Sequence, residues 1–172
     1  MKDAVLDTSF WINAYRAELY QYLPRYFDLA YCSHVREEIE KPDPSHPTII
    51  YPDTQAFHVF CQGGLLEHRD PEDFPLIFGK GESQALALAK QEGRLLLIDD
   101  LAPYTYAANV LQLQVLDSAA FLLHLYVERV FSLKGALTRL ERLERSLSRD
   151  LMLRVKRSIE LIAEKRREQH HE

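Results

Sequence analysis

Cysteine is scarce. Cys32 and Cys61 are the only two among 172 residues, too few for a disulfide framework, and neither belongs to a Cys-x-x-Cys pair of the kind that holds zinc. Long apolar runs are missing as well. No stretch approaches the length of about eighteen residues needed to span a membrane, and the opening MKDAVLDTSF lacks the basic segment and long apolar run of a secretory signal. These absences predict a soluble protein of the cytoplasm with no membrane partner. The seven histidines are scattered without metal-ligand spacing, and His170-His171 reads as a frayed end. Gly79-Lys80-Gly81 is too short to cradle a phosphate in the Walker manner. Repeats and low-complexity segments are absent. So is a globally basic character: the net charge is −5. Residues 1–132 carry 10 Lys and Arg against 19 Asp and Glu, whereas residues 133–172 carry 11 against 7. An acidic body with a basic tail does not suit a duplex-binding module. What is present, 47% hydrophobic and 27% charged residues, makes an ordinary globular chain with enough length for one real core.

Short apolar runs alternate with helical periods. Ala4-Val5-Leu6 predicts a strand buried on both faces of a parallel sheet. Asp7-Thr8-Ser9 then offers capping chemistry for a helix from Phe10 to about Phe27. Leu29–Cys32 reads as a second strand, followed by Ser33 as N-cap of a helix His34–Lys41. Pro42, Pro44 and Pro47 mark a loop. A helix near Thr54–Cys61 and a strand near Leu65–His68 follow. The second half is plainer: a helix Glu82–Glu92 ended by Gly93, a strand Leu95–Ile98, a helix Pro103–Leu111, a strand Leu113–Leu116 and a helix from Ser118. The alternation predicts an α/β fold with a mainly parallel sheet. Beyond it, Leu133, Ala136, Leu137, Leu140 and Leu143, then Leu147, Leu151, Val155, Ile159 and Ile162, recur at helical spacing. They predict two helices packed on the body or on a second subunit, and hence a division into residues 1–132 and a C-terminal helical extension, 133–172.

In such a sheet, ligands bind beyond the carboxyl ends of the strands. Asp7 ends one strand and Asp99-Asp100 another; Glu82 opens the helix between them, and Glu38 lies on the helix after the second strand. Each has a plain alternative. Asp7 and Glu82 serve helix starts, Asp99 and Asp100 serve turns, and Glu38 stands beside Glu37 and Glu40 on what reads as a solvated face. Together they would repel one another and take up protons unless a cation were present. An all-oxygen set suits Mg²⁺ or Mn²⁺ rather than zinc.

The chain resembles a known family at these residues. AVLDTSFWI is similar to the opening of a PIN domain, GKGESQALALA to the Gly-x-Gly-Glu-x-x-Ala helix start of one prokaryotic subgroup, and LLLIDDLAPYTYAANVLQLQVLD to the strand, acidic pair, helix and strand that follow there. The resemblance implies a three-layer α/β/α sandwich and a nuclease centre like that of VapC-type toxins. It implies catalytic roles for Asp7, Glu38, Glu82 and Asp100, and metal ligation by Asp7, Glu82 and Asp100, with Asp99 as a substitute. Thr8 and Ser9 would meet the substrate or orient the carboxylates; apart from the resemblance, Lys80 near Glu82 is a candidate to meet a phosphate, with a solvated loop lysine as its plain alternative. The implied reaction is in-line hydrolysis of single-stranded RNA with Mg²⁺ or Mn²⁺, without a covalent intermediate. The implied partners are an antitoxin protein and a second copy of the chain. Two departures stand out: Tyr104 lies where the subgroup usually has Arg, and Asp117-Ser118 where it usually has Gly-Thr. Asp117 reads as an N-cap, with a ligand role as its alternative.

Two other classes bear comparison. An Asp-Thr at a strand end also occurs in haloacid-dehalogenase-like phosphatases, but Ser9 holds the place of their second Asp. A PIN fold used only for binding or assembly would not require all four acids. Cys32 reads as a buried strand residue and Trp11 as core, while Tyr15 and Tyr104 are candidates to face a nucleic-acid strand.

Overall fold

The computed structural model of the protein describes residues 1–169; the frayed end expected at His170-His171 lies outside the described residues. Five strands form one sheet, all parallel: β1 (Lys2–Leu6), β2 (Phe27–Tyr31), β3 (Leu66–His68), β4 (Leu95–Leu97) and β5 (Val115–Leu116). Their order is β3-β2-β1-β4-β5. Ala4, Val5 and Leu6 are completely buried, as are Leu96, Leu97 and Ile98, so helices cover both faces of the central strands and the α/β sandwich expected from the sequence is what forms. β1 pairs with β2 on one side and with β4 on the other. The winding of the sheet therefore reverses between β1 and β4, and the carboxyl ends of these two strands frame the crevice where ligands of such folds bind.

The first helical stretch differs from its expectation. Instead of one helix to Phe27 there are α1 (Thr8–Arg16), a 3-10 turn (Tyr20–Tyr22) and a short α2 (Leu23–Tyr26). Glu18 takes a left-handed backbone with φ +56°, and the amides of Glu18 and Leu19 turn back onto the carbonyls of Tyr15 and Ala14. Pro24, at the start of α2, has no N–H with which to continue a helix. β2 consequently begins at Phe27, two residues earlier than the apolar run suggests.

The remaining helices are α3 (Ser33–Glu40), α4 (Pro52–Gln62), α5 (Lys80–Glu92), α6 (Leu101–Asn109), α7 (Ser118–Val127), α8 (Leu133–Leu143) and α9 (Arg149–Glu168). The cap of α3 is also corrected. Cys32, not Ser33, holds the cap position, and the acceptor is supplied from a distant segment: Asp70 Oδ1 receives the Ser33 N–H at 2.7 Å. Gly93 closes α5 in the left-handed conformation, φ +64°. Ser132 and Ser148 cap α8 and α9. Ala136, Leu140 and Leu143 of α8 and Val155, Ile159 and Ala163 of α9 are buried, so the two apolar stripes face the body, packing on α7 and on each other. Ion pairs from Arg139 and Arg142 to Glu18, at 3.0 and 2.6 Å, and a bond from Arg16 to Ser146 tie the α8–α9 hairpin to the end of α1. Among the described residues no helix is long and apolar enough to cross a membrane.

Candidate active site

The site is built on the turn that follows β1. The Asp7 N–H still donates to Leu97 O of β4 at 3.0 Å, so Asp7 is fixed where the two central strands end. Its carboxylate caps α1: Oδ2 accepts from the Ser9 amide at 2.9 Å and the Ser9 hydroxyl at 2.6 Å. The other oxygen, Oδ1, is buried and has no hydrogen-bond partner. Burial raises the Asp7 pKa to about 7, against the two Ser9 bonds, and the charges of Glu82 and Asp100 push it the same way. Glu82, in the first turn of α5, is also raised, first by burial and then by Glu38 and Asp100. These mutual repulsions place Asp7, Glu38, Glu82 and Asp100 in one electrostatic neighbourhood beyond the carboxyl edge of the sheet. Asp100 precedes α6 but spends no side-chain bond on capping it.

Glu38 is exposed yet held. Its Oε2 accepts from the Thr8 hydroxyl at 2.7 Å and its Oε1 from the Gly81 amide at 3.1 Å. The two glycines before Glu82 now have a reason. A Cβ at Gly81 would stand 2.6 Å from the Glu38 carboxyl carbon, and one at Gly79 would collide with the Glu82 carboxylate. Each glycine makes room for an acid. In the sequence they form part of a family motif with no visible cause, because the carboxylate that needs Gly81 comes from another helix.

Asp99 is separated from this group. Its Oδ1 accepts from the Ser118 amide at 2.7 Å, and its Oδ2 from the Ser118 hydroxyl at 2.7 Å and Asn13 Nδ2 at 2.6 Å. Burial raises its pKa to about 6 in spite of those bonds. Its oxygens are committed to joining α1, β4 and α7, so of the acidic pair it is Asp100 that faces the other acids. Asn13, which sequence reasoning did not single out, and Ser118, noted there only as a departure from the subgroup's pattern, are the residues that hold Asp99 there. Asp117 caps α7 through the Ala120 amide at 2.7 Å, as its position suggested. The hydroxyls of Thr8 and Ser9 are engaged with Glu38, with Asp7 and with the Asp99 amide at 3.1 Å. They orient carboxylates. Lys80 is exposed at the start of α5. Cys32 is buried, and burial with the charges of Asp70 and Asp7 pushes its thiol up to about 12, where it is no nucleophile.

Among the described residues no three His, Cys, Asp or Glu side chains are grouped closely enough to hold an ion as they stand. The chemistry of the donor set nevertheless fits a hard divalent cation: the donors are all oxygens, they repel one another, and one buried carboxylate oxygen has no partner. Asp7, Glu82 and Asp100 are the residues that would hold it, with Glu38 alongside. A family model described as a PIN domain matches residues 3–161 of the chain. No curated protein matches it.

Proposed function

The chain belongs to the PIN-domain family, whose members are in general nucleases and usually depend on a divalent metal, and on that premise we propose that it is an endoribonuclease that hydrolyses the phosphodiester bonds of single-stranded RNA with Mg²⁺ or Mn²⁺. The observation that carries this reading is the unpartnered Asp7 Oδ1, buried between the charges of Glu82 and Asp100. A helix cap alone needs one carboxylate oxygen, and Ser9 already occupies it. When bound, a divalent ion supplies the positive charge that activates water and steadies a transferring phosphoryl group. The chain's own residues prepare the place. Ser9 fixes the Asp7 carboxylate, Thr8 and the Gly81 amide fix Glu38, and Asp100 keeps its oxygens available. In this reading the acids hold the metal and a water, and no covalent intermediate is required. The same reading extends to a toxin restrained by an antitoxin protein that covers the cleft, acting as a homodimer; the resemblance to VapC-type toxins supports it.

The test compares wild type with Asp7→Asn, Glu82→Gln and, as control, the exposed Glu37→Gln. Cleavage of a mixed-sequence single-stranded RNA is followed with Mg²⁺, with Mn²⁺ and with chelator. Wild type and E37Q are expected to cut only with metal, and D7N and E82Q to lose on the order of a hundredfold or more. Equal, chelator-insensitive cleavage by all four proteins would remove the catalytic claim.

A further inference from the structure

The acids need a counterpart, because an RNA strand carries a charge at every phosphate and the body that holds the site is itself acidic. Residues 1–132 carry the excess of Asp and Glu, whereas the excess of Lys and Arg lies in residues 133–172. The fold determines where that basic tail is delivered. α9 runs parallel to α7: Arg166 near its end donates to the carbonyls of Tyr126 and Val127 at the last turn of α7, at 3.3 and 2.9 Å, and its guanidinium sits over the Tyr126 ring, 4.8 Å from the centroid. Arg154 stands about 18 Å back along the same helix, and the ten residues of α7 span about 15 Å. Arg154 is thereby carried to the opposite end of α7, where Asp117 caps it at the carboxyl edge of β5. That is the edge on which Asp100 lies, one strand away.

Arg154 is exposed. Arg36, Arg69, Arg94, Arg139 and Arg142 are each tied to a carboxylate, but among the described residues Arg154 enters no such pair. α6, which starts at this same edge directly after Asp100, presents two further groups. Leu101, directly after Asp100, leaves 70% of its surface in solvent, and Tyr104, half-buried, follows one turn later. We propose that Arg154, Tyr104 and Leu101 form a nucleotide subsite at the β5 end of the acidic centre, the guanidinium taking a backbone phosphate of single-stranded RNA and Tyr104 and Leu101 taking the adjoining base. The proposal rests on the ribonuclease reading above. Electrostatics agree with the placement: Arg154 lowers the Asp117 pKa against the burial that raises it, and Tyr104 is raised by burial and by Asp117. Both side chains are thus coupled electrostatically to the same carboxylate.

The test uses the full chain and one labelled single-stranded RNA of mixed sequence. Binding is measured by fluorescence anisotropy at several salt concentrations in the Asp7→Asn background, which binds without cutting. Steady-state cleavage is measured in the wild-type background with Mn²⁺. Arg154→Ala is expected to weaken binding about tenfold and to flatten the salt dependence by a slope of about 0.7, the loss of one phosphate contact on a single strand. KM should rise while kcat stays, and Arg154→Lys should restore most of the affinity. Lys165→Ala, which removes the same charge at the far end of α9, should change nothing. If R154A and K165A behave alike in binding and in KM while RNA is still cut, the subsite is wrong and the ribonuclease reading stands. If wild type neither binds nor cuts RNA with Mg²⁺ or Mn²⁺, both fall.

Discussion

Asp7 performs two tasks with one carboxylate, and they pull against each other. As a cap it accepts two bonds from Ser9; as a buried acid among like charges it resists ionisation, with a pKa of about 7 against 3.8 for an ordinary aspartate. That displacement corresponds to an opposition to ionisation on the order of 4 kcal/mol. The folded, metal-free protein keeps the Asp7 proton over a range where the unfolded chain has lost it. Asp7 therefore costs stability progressively as pH rises from about 4 to about 7, and the full cost stays above that. Asn keeps the acceptor for Ser9 and carries no charge. In chelator, Asp7→Asn is expected to be more stable to denaturant than wild type at pH 8, by up to about 4 kcal/mol. The difference should fade as pH drops below the ordinary aspartate value of 3.8, where Asp7 becomes neutral in both states of the wild type. Denaturant titrations of the two proteins across this range check it, and a D7N protein less stable than wild type at pH 8 would show that Asp7 is chiefly a cap.

Among the elements, α3 owes its position to residues far along the chain. Its first amide, from Ser33, is received by Asp70 just beyond β3, and Asp70 also accepts from the Ser33 hydroxyl at 2.5 Å and from Gln84 Nε2 of α5 at 2.9 Å. Gln84 in turn accepts the His34 amide at 2.9 Å. Two helices that carry site acids, Glu38 on α3 and Glu82 on α5, are thus locked together by a bridge containing neither acid. Asp70→Ala is expected to cost about 1–2 kcal/mol of stability, and chemical denaturation at neutral pH measures it; a loss below about 0.5 kcal/mol would make the bridge dispensable. This bridge was not legible in the sequence, since Asp70 lies in a stretch with no clear period. The strands β1 and β4 were legible, because an unbroken apolar run at Ala4–Leu6 or Leu95–Ile98 suits only a strand covered on both faces. The break at Glu18 was not, although Pro24 signalled it, because Tyr and Leu continue a helical rhythm across it. Which of Asp99 and Asp100 joins the site was also hidden. Neighbouring residues leave a strand in opposite directions, and the direction that meets Glu82 depends on the pairing of β4 with β1 and β5.

At the scale of the molecule, the α8–α9 hairpin completes the body. Phe121, Leu122 and Leu125 of α7 are fully buried, and α7 packs against both tail helices. A chain ending at Ser132 is expected to lose its cooperative unfolding transition or to aggregate, as followed by calorimetry and size-exclusion chromatography. A soluble truncation with an unchanged midpoint would show that residues 133–172 are an appendage. That the acids stand at strand ends was readable from residue types and their order, whereas the adjacency of β1 and β4 and the course of the tail helices were not, because they depend on how strands pair and helices stack. The sheet order carries a further consequence, in time rather than in space. β1 emerges first in synthesis and becomes the centre of the sheet, yet one of its neighbours is β4, whose register pairs Ala4 with Leu95. A nascent chain can dock β2 on β1 early, but it must wait for more than half of its length before the other edge of β1 is covered. Asp7 and Asp100 cannot meet before then. The acidic centre cannot form until more than half of the polypeptide has emerged, so a shorter nascent chain carries the first acid of the site without the means to use it.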